Sequence, residues 1–157
     1  MTRLKFTTFI NAPIERCFDI SRSIDVHMHT TKRTGEKAVS GKMSGLIEKG
    51  EVVTWEAVHF GIRQRLTSRI VDMQRPSYFS DEMVEGAFKS MFHEHRFESK
   101  DGGTLMTDDF SYETPYGVFG KLFDVVVLKN YMLGFIKERN AAIKHMAEGD
   151  DWREILK

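Results

Sequence analysis

A chain of 157 residues is long enough for one domain with a real core and hardly long enough for two. Lys+Arg and Asp+Glu both total 23, so the formal net charge is zero. That balance argues against the basic stripe of a nucleic-acid binder and gives no polybasic signal for a membrane surface. The single Cys17 excludes an internal disulfide and a thiolate-based zinc cluster, and it suits a reducing compartment.

The N-terminal MTRLKFTTFI meets Asn11 and Pro13 too soon for the apolar region of a signal peptide. The longest apolar block, Val125 to Leu128, is far too short to span a bilayer, so a cytoplasmic protein without stable membrane insertion is expected. Leu4, Phe6 and Thr8 alternate with Lys5 and Thr7, which predicts a first strand ending near Ile10. Asn11-Ala12-Pro13 then starts a helix, because proline at the first helical position loses no needed N–H. Ile14, Cys17 and Phe18 share one face of it, which makes Cys17 a core residue rather than a nucleophile. A second short helix is predicted over Ile24–Thr30. Four glycines between Gly35 and Gly50 leave room there for one weak strand and a loop.

From Glu51 the pattern changes to period two, and four strands follow. Asp101-Gly102 is a strong two-residue hairpin signal, since a type I′ turn needs positive φ at both positions. The register then runs outward from Lys100 opposite Gly103. Phe97 faces Met106, His95 faces Asp108, His93 faces Phe110 and Met91 faces Tyr112, all on one side. Glu94, Arg96, Glu98, Thr107 and Asp109 take the other side. A second hairpin around Phe60-Gly61 sets Trp55 opposite Leu66, Ala57 opposite Gln64 and His59 opposite Ile62, with Val53, Ser68 and Ile70 continuing that inner face. Outside, Glu56 meets Arg65 and Thr54 meets Thr67. After Pro115-Tyr116-Gly117, residues Val118 to about Ala147 contain no proline and only Gly120 and Gly134, which predicts a long helix. Its apolar positions, including Leu122, Val125, Val126, Met132, Leu133, Ile136 and Ile143, cover a broad face. The charged residues after Gly149 are expected to fray, giving one domain over 1–149 and a tail over 150–157. Strands followed by a terminal helix give an α+β layout with the helix packed on the sheet.

The inner face is not pure hydrocarbon. It carries His59, Gln64, Ser68, His93, His95 and Asp108, and Asp81 as well if Phe79 points inward. An unpaired polar group in a packed core costs roughly 1–3 kcal/mol, so these groups pair with one another, with water, or with something that enters.

The chain resembles the bacterial SRPBCC proteins of the START and birch-pollen-allergen superfamily. The residues that carry the likeness are Phe9 to Glu15, Val53 to Ala57, His59-Phe60-Gly61, Phe79 to Met83, Gly86-Ala87-Phe88, His93 to Phe97, Gly103-Thr104, Asp108 and Tyr112 to Pro115. It departs from relatives at Gly86-Ala87, where they have Gly-Pro, and just before the histidines, where the only aromatic residue is Phe92. The resemblance implies a helix-grip fold: a curved seven-stranded antiparallel sheet wrapped around the C-terminal helix, with two short helices after strand 1 and a cavity between sheet and helix. Members carry lipids, sterols, polyketides or plant hormones, and some are cofactor-free cyclases or dehydratases.

The expected partner is therefore a small apolar ligand, with no nucleic acid, no cofactor and no specified protein partner. The candidate ligand-binding residues are Trp55, His59, Leu66, Phe79, Asp81, Met83, Met91, His93, His95, Phe97, Met106, Asp108, Phe110, Tyr112 and Met132. Nine methionines and 12 phenylalanines suit either a plain core or an adaptable lining. His93-x-His95 with Asp108, and His59 beyond them, has the donor types of a catalytic zinc site. The plainer reading, preferred here, is that His95 hydrogen-bonds Asp108 across the hairpin. As an enzyme, the chain would use His95 and Asp108 as its acid–base pair. His27-x-His29 is the weaker motif, because residues two apart on a helix do not share a face. The third class is an interaction module gated by movement of the helix or of the Met43-Ser44-Gly45 loop.

Overall fold

The computed structural model describes residues 1–157. Strand β1 (Thr2–Ile10) leads into helices α1 (Ile14–Ser21) and α2 (Ile24–Thr30). Six strands follow: β2 (Lys37–Gly41), β3 (Val52–His59), β4 (Ile62–Gln74), β5 (Tyr78–Glu85), β6 (Ser90–Lys100) and β7 (Gly103–Glu113). They form one antiparallel sheet in the order β1-β7-β6-β5-β4-β3-β2, which is the helix-grip arrangement. The C-terminal helical segment comprises α3 (Gly117–Phe123), a π-helical turn over Asp124–Leu128 and α4 (Lys129–Glu148).

Both hairpins have the register that strand alternation predicts. Asp101 and Gly102 take φ of 50° and 78°, as a type I′ turn requires, and His95 pairs with Asp108 and His93 with Phe110. His59 pairs with Ile62 and Trp55 with Leu66 around the other turn. Thr54 and Thr67 join their hydroxyls at 2.8 Å on the outer face.

Two apolar clusters flank the middle of the molecule. The larger packs α1, α2 and the end of α4 (Ile143, Met146 and Ala147) onto Phe79, Phe97 and Met106. The smaller joins Leu4, Met91, Phe110 and Tyr112 to Leu128 and Ile136.

Two expectations fail. The tail does not fray: Trp152–Ile155 forms a short helix, α5, and Trp152, Ile155 and Leu156 pack on the larger cluster. The Arg16 guanidinium lies 3.8 Å above the Trp152 ring, so apolar and cation–π contacts outweigh the charge of the segment. The apolar face of the C-terminal helix is also not all internal, because Leu122, Val125 and Val126 point to solvent. Around them the buried side is held by Gly120, Asp124 and Leu128. Gly120 lies so close to the Pro115 carbonyl that a Cβ there would sit 1.8 Å from the oxygen. Asp124, at the start of the π turn, accepts hydrogen bonds from the Tyr112 and Thr2 hydroxyls. These anchors fix which face turns inward, and hydrophobicity alone does not reveal them.

Candidate functional site

Between sheet and helix lies a cavity of about 910 Å³, and 22 of its 38 lining residues are hydrophobic. The concave sheet face supplies Trp55, Leu66, Phe79, Met91 and Phe110, while α4 supplies Met132, Phe135 and Ile136. His59, Asp81, His93 and His95 also border it. Five candidates do not line it. Phe97 stacks edge-on against Phe18 in the core, and Met106 is fully buried beneath Ser21, whose hydroxyl meets its sulfur at 3.5 Å. Tyr112 anchors Asp124, and Met83 packs in the smaller cluster against Gly86. Asp108 is 0% exposed and sits behind the histidines, between the sheet and α4. Inward register selects the buried side of a strand, but only depth separates lining from core.

Asp108 organises the first polar group. His93 Nε2 donates to its Oδ1 at 2.7 Å, and Asn140 Nδ2 donates to its Oδ2 at 2.6 Å from α4. Arg139 Nη1 lies 3.8 Å away, and its other nitrogen donates to the Ser21 carbonyl at 3.2 Å, tying α4 to α1. The expected His95–Asp108 hydrogen bond is not formed. His95 Nδ1 stands 3.4 Å from Asp108 Oδ1 without bonding geometry, while His95 Nε2 bonds Asp81 Oδ1 at 3.1 Å. The physical reason is the diagonal reach of Asp108: its carboxylate leans along the hairpin to His93, two positions from its direct partner. Phe79 stacks against His95 at 4.1 Å, and His93 stacks against it at 3.8 Å.

The charges of this group sort themselves. Burial opposes ionisation of Asp108, but the hydrogen bonds from His93 and the nearness of His95 overcome it and hold its pKa well below the carboxylate range. Asp81 is lowered as well, against its burial, by the His95 hydrogen bond and charge. Burial also opposes a charge on His95, but Asp108 and Asp81 outweigh it and raise its pKa. His93 is lowered, first by burial and then by the neighbouring His95. The group thus favours the charged forms of both carboxylates and of His95, and the neutral form of His93.

Asp81, His93 and His95 bring one donor atom each within 4.8 Å of one another, so a metal set would use Asp81 rather than Asp108 and would exclude His59. The two imidazoles stack with only 27° between their planes, so their lone pairs run side by side instead of converging. That arrangement suits a proton relay better than a tetrahedral ion.

Sequence reasoning missed a second polar group. Glu36, in the loop before β2, accepts from His27 Nε2 and lies 3.5 Å from His59 Nε2, while His59 Nδ1 meets the Tyr131 hydroxyl at 2.6 Å. Burial raises the Glu36 pKa, but the two imidazoles outweigh it and bring it to about 2. His27 also stacks on Trp55 at 4.1 Å. His27-x-His29 reads as a weak motif, yet α2 turns His27 toward the cavity by itself, so the spacing between the two is the wrong test. A glutamate among glycines gives no sequence signal of burial.

A family profile described as polyketide cyclase / dehydrase and lipid transport matches residues 14–131. The chain belongs to that family. Small-molecule binding in the general sense comes with membership. No curated protein matches the sequence. Among solved structures, TTHA0849 from Thermus thermophilus superposes with a TM-score of 0.71 at 18% identity, covering 90% of this chain and 97% of that one. The major latex-like protein 151 of Panax ginseng gives 0.69 at 18% identity, covering 94% and 98%. CV1439 from Chromobacterium violaceum gives 0.72 at 12% identity, also covering 94% and 98%. At these identities the likeness establishes the shared fold. No helix is long and apolar enough to cross a membrane.

Proposed function

We propose that this family member binds a small apolar molecule, lipid-, polyketide- or aromatic-like, inside the cavity between sheet and α4. The observation that carries the reading is the cavity: about 910 Å³, lined mainly by hydrophobic side chains, with polar groups converging at two places. That volume is at the upper end of the roughly 300–1,000 Å³ of small-molecule sites. The cavity walls are mainly apolar and offer water few partners, which favours an apolar occupant. Asp81–His95 and His59–Tyr131 would orient a ligand's carbonyl or hydroxyl. Native mass spectrometry of the purified chain, followed by denaturing extraction, tests this. A released apolar molecule of defined mass supports the proposal, and a chain that stays empty against a lipid and polyketide panel refutes it.

A second reading, an enzyme of the cyclase or dehydratase type, is favoured by one arrangement. His93 gives its Nε2 proton to Asp108 and keeps Nδ1, which has no protein partner, as a lone pair. A neutral imidazole oriented by a buried carboxylate is a general base. It would abstract a proton next to a bound carbonyl and return that proton to the oxygen, since His95 Nε2 is bonded to Asp81 and its Nδ1 is buried. His93 would then serve as both base and acid, with Asp108 as the orienting group. Turnover lost in His93→Gln while ligand binding persists is the distinguishing result.

A further inference from the structure

The most unusual surface of the molecule is the outer side of α3 and the π turn. Tyr116, Val118, Phe119, Leu122, Val125 and Val126 are between 62% and 85% exposed, six large apolar side chains within 11 residues. Soluble domains rarely show so continuous an apolar run without a partner. The sequence does not require this exposure, because the anchoring of Gly120 against Pro115 and of Asp124 by Tyr112 and Thr2 turns these residues outward.

Two further features bear on what covers this face. It is continuous with the cavity mouth: Tyr116, Phe119 and Phe123 border the cavity from the helix side, and Phe60 and Ile62 from the β3–β4 turn. Phe60 meets Phe123 at 5.6 Å and Tyr131 at 4.6 Å, closing helix and turn into one aromatic rim. Its charge is also one-sided. From Pro115 to Tyr131 the only charged residues are Lys121, Asp124 and Lys129, and Asp124 is buried. Every exposed charge on the segment is thus a lysine, an asymmetry concealed by the chain's net charge of zero.

The geometry points to a membrane-docking surface: the rim of α3, the π turn and the Phe60–Ile62 turn lies reversibly in the interface of an anionic bilayer, with the cavity mouth facing the lipid. Apolar and aromatic side chains bordered by lysine are the composition of an interfacial segment. A second copy of the chain fits less well, because a two-fold contact on this face would gather two copies each of Lys121 and Lys129 with no exposed carboxylate of the segment to offset them. Docking rests on the cavity reading and deepens it. An apolar ligand could pass between acyl chains and cavity without crossing water, and the source is then a membrane-dissolved molecule.

The test is co-sedimentation of the full chain with phosphatidylcholine vesicles, with and without about one-third phosphatidylglycerol, at low and high salt. In parallel, binding of the fluorophore N-phenyl-1-naphthylamine reads the cavity. The chain is expected to sediment with the anionic vesicles, more weakly at high salt. Leu122→Glu/Val125→Glu and Lys121→Glu/Lys129→Glu, whose positions do not line the cavity, are each expected to lower vesicle partitioning roughly tenfold while keeping fluorophore binding. A wild-type chain that binds fluorophore and ignores vesicles overturns docking alone, and one that binds neither overturns the cavity reading with it. Variants that sediment like wild type also overturn docking. So does a dimer in analytical ultracentrifugation that Leu122→Glu/Val125→Glu splits, since the face would then belong to a second copy.

Discussion

Asp108→Asn is the most informative single substitution in the polar centre. The side chain keeps its shape and loses its charge at a position with no solvent access, where it serves His93 at 2.7 Å and Asn140 at 2.6 Å and faces His95 and Arg139 at 3.4 and 3.8 Å. Removing one partner from a buried ion network costs about 3–5 kcal/mol. At this chain length each kcal/mol corresponds to roughly 2–4 °C, so the melting temperature is expected to fall by about 10 °C near pH 6. The pH dependence carries a sign. The Asp108 pKa is lowered, so its stabilisation is present above the ordinary carboxylate range and is lost as pH falls toward the folded pKa. The His95 pKa is raised, so its contribution is full below about 6.5 and is lost as pH rises through the folded value. The gap between wild type and variant is therefore widest near pH 5–6. It narrows toward pH 9 without vanishing, because Arg139 stays charged. Calorimetric melts across that range, with histidine proton NMR titrations, read both effects. An unchanged melting temperature, a gap that widens with pH, or a His95 pKa that does not drop in the variant would refute the charge assignment.

Glu36→Gln is expected to flatten acid denaturation, since the pKa of about 2 means wild-type Glu36 stabilises above roughly pH 4.5 and loses that contribution between there and 2; circular dichroism against pH reads it. Ala57→Phe, which points a ring into the cavity, is expected to weaken fluorophore binding at least about tenfold with little change in melting temperature, because there is room for it. Phe97→Ala should do the reverse, losing about 3–5 kcal/mol in denaturant melts while binding persists. Gly120→Ala forces a Cβ against the Pro115 carbonyl and is expected to lower stability by roughly 1–3 kcal/mol, read by the same melts.

Strands and registers were legible because period two and Asp101-Gly102 fix them locally, down to His93 opposite Phe110. Ten of the 15 candidate ligand residues border the cavity for the same reason. Local pattern does not reveal depth, so Phe97 and Met106 looked the same as Phe79 and Met91. Nor does it reveal which of two possible partners a carboxylate chooses: Asp108 faces His95 but bonds His93. Arg139, Asn140 and Glu36 come to the site only when helix and loop close over the sheet, so a local pattern could not find them. The outward turn of Leu122 and Val125 depends on the burial of Asp124, which looks like any surface aspartate in the sequence.

The central claim is that the space between sheet and α4 receives an apolar molecule, and a titration of ligand-stripped chain with N-phenyl-1-naphthylamine tests it most directly, run on wild type and Ala57→Phe side by side. Saturable one-to-one binding with a blue-shifted emission is expected in wild type, and its loss in the variant. No binding in wild type, or equal binding in both, would contradict it.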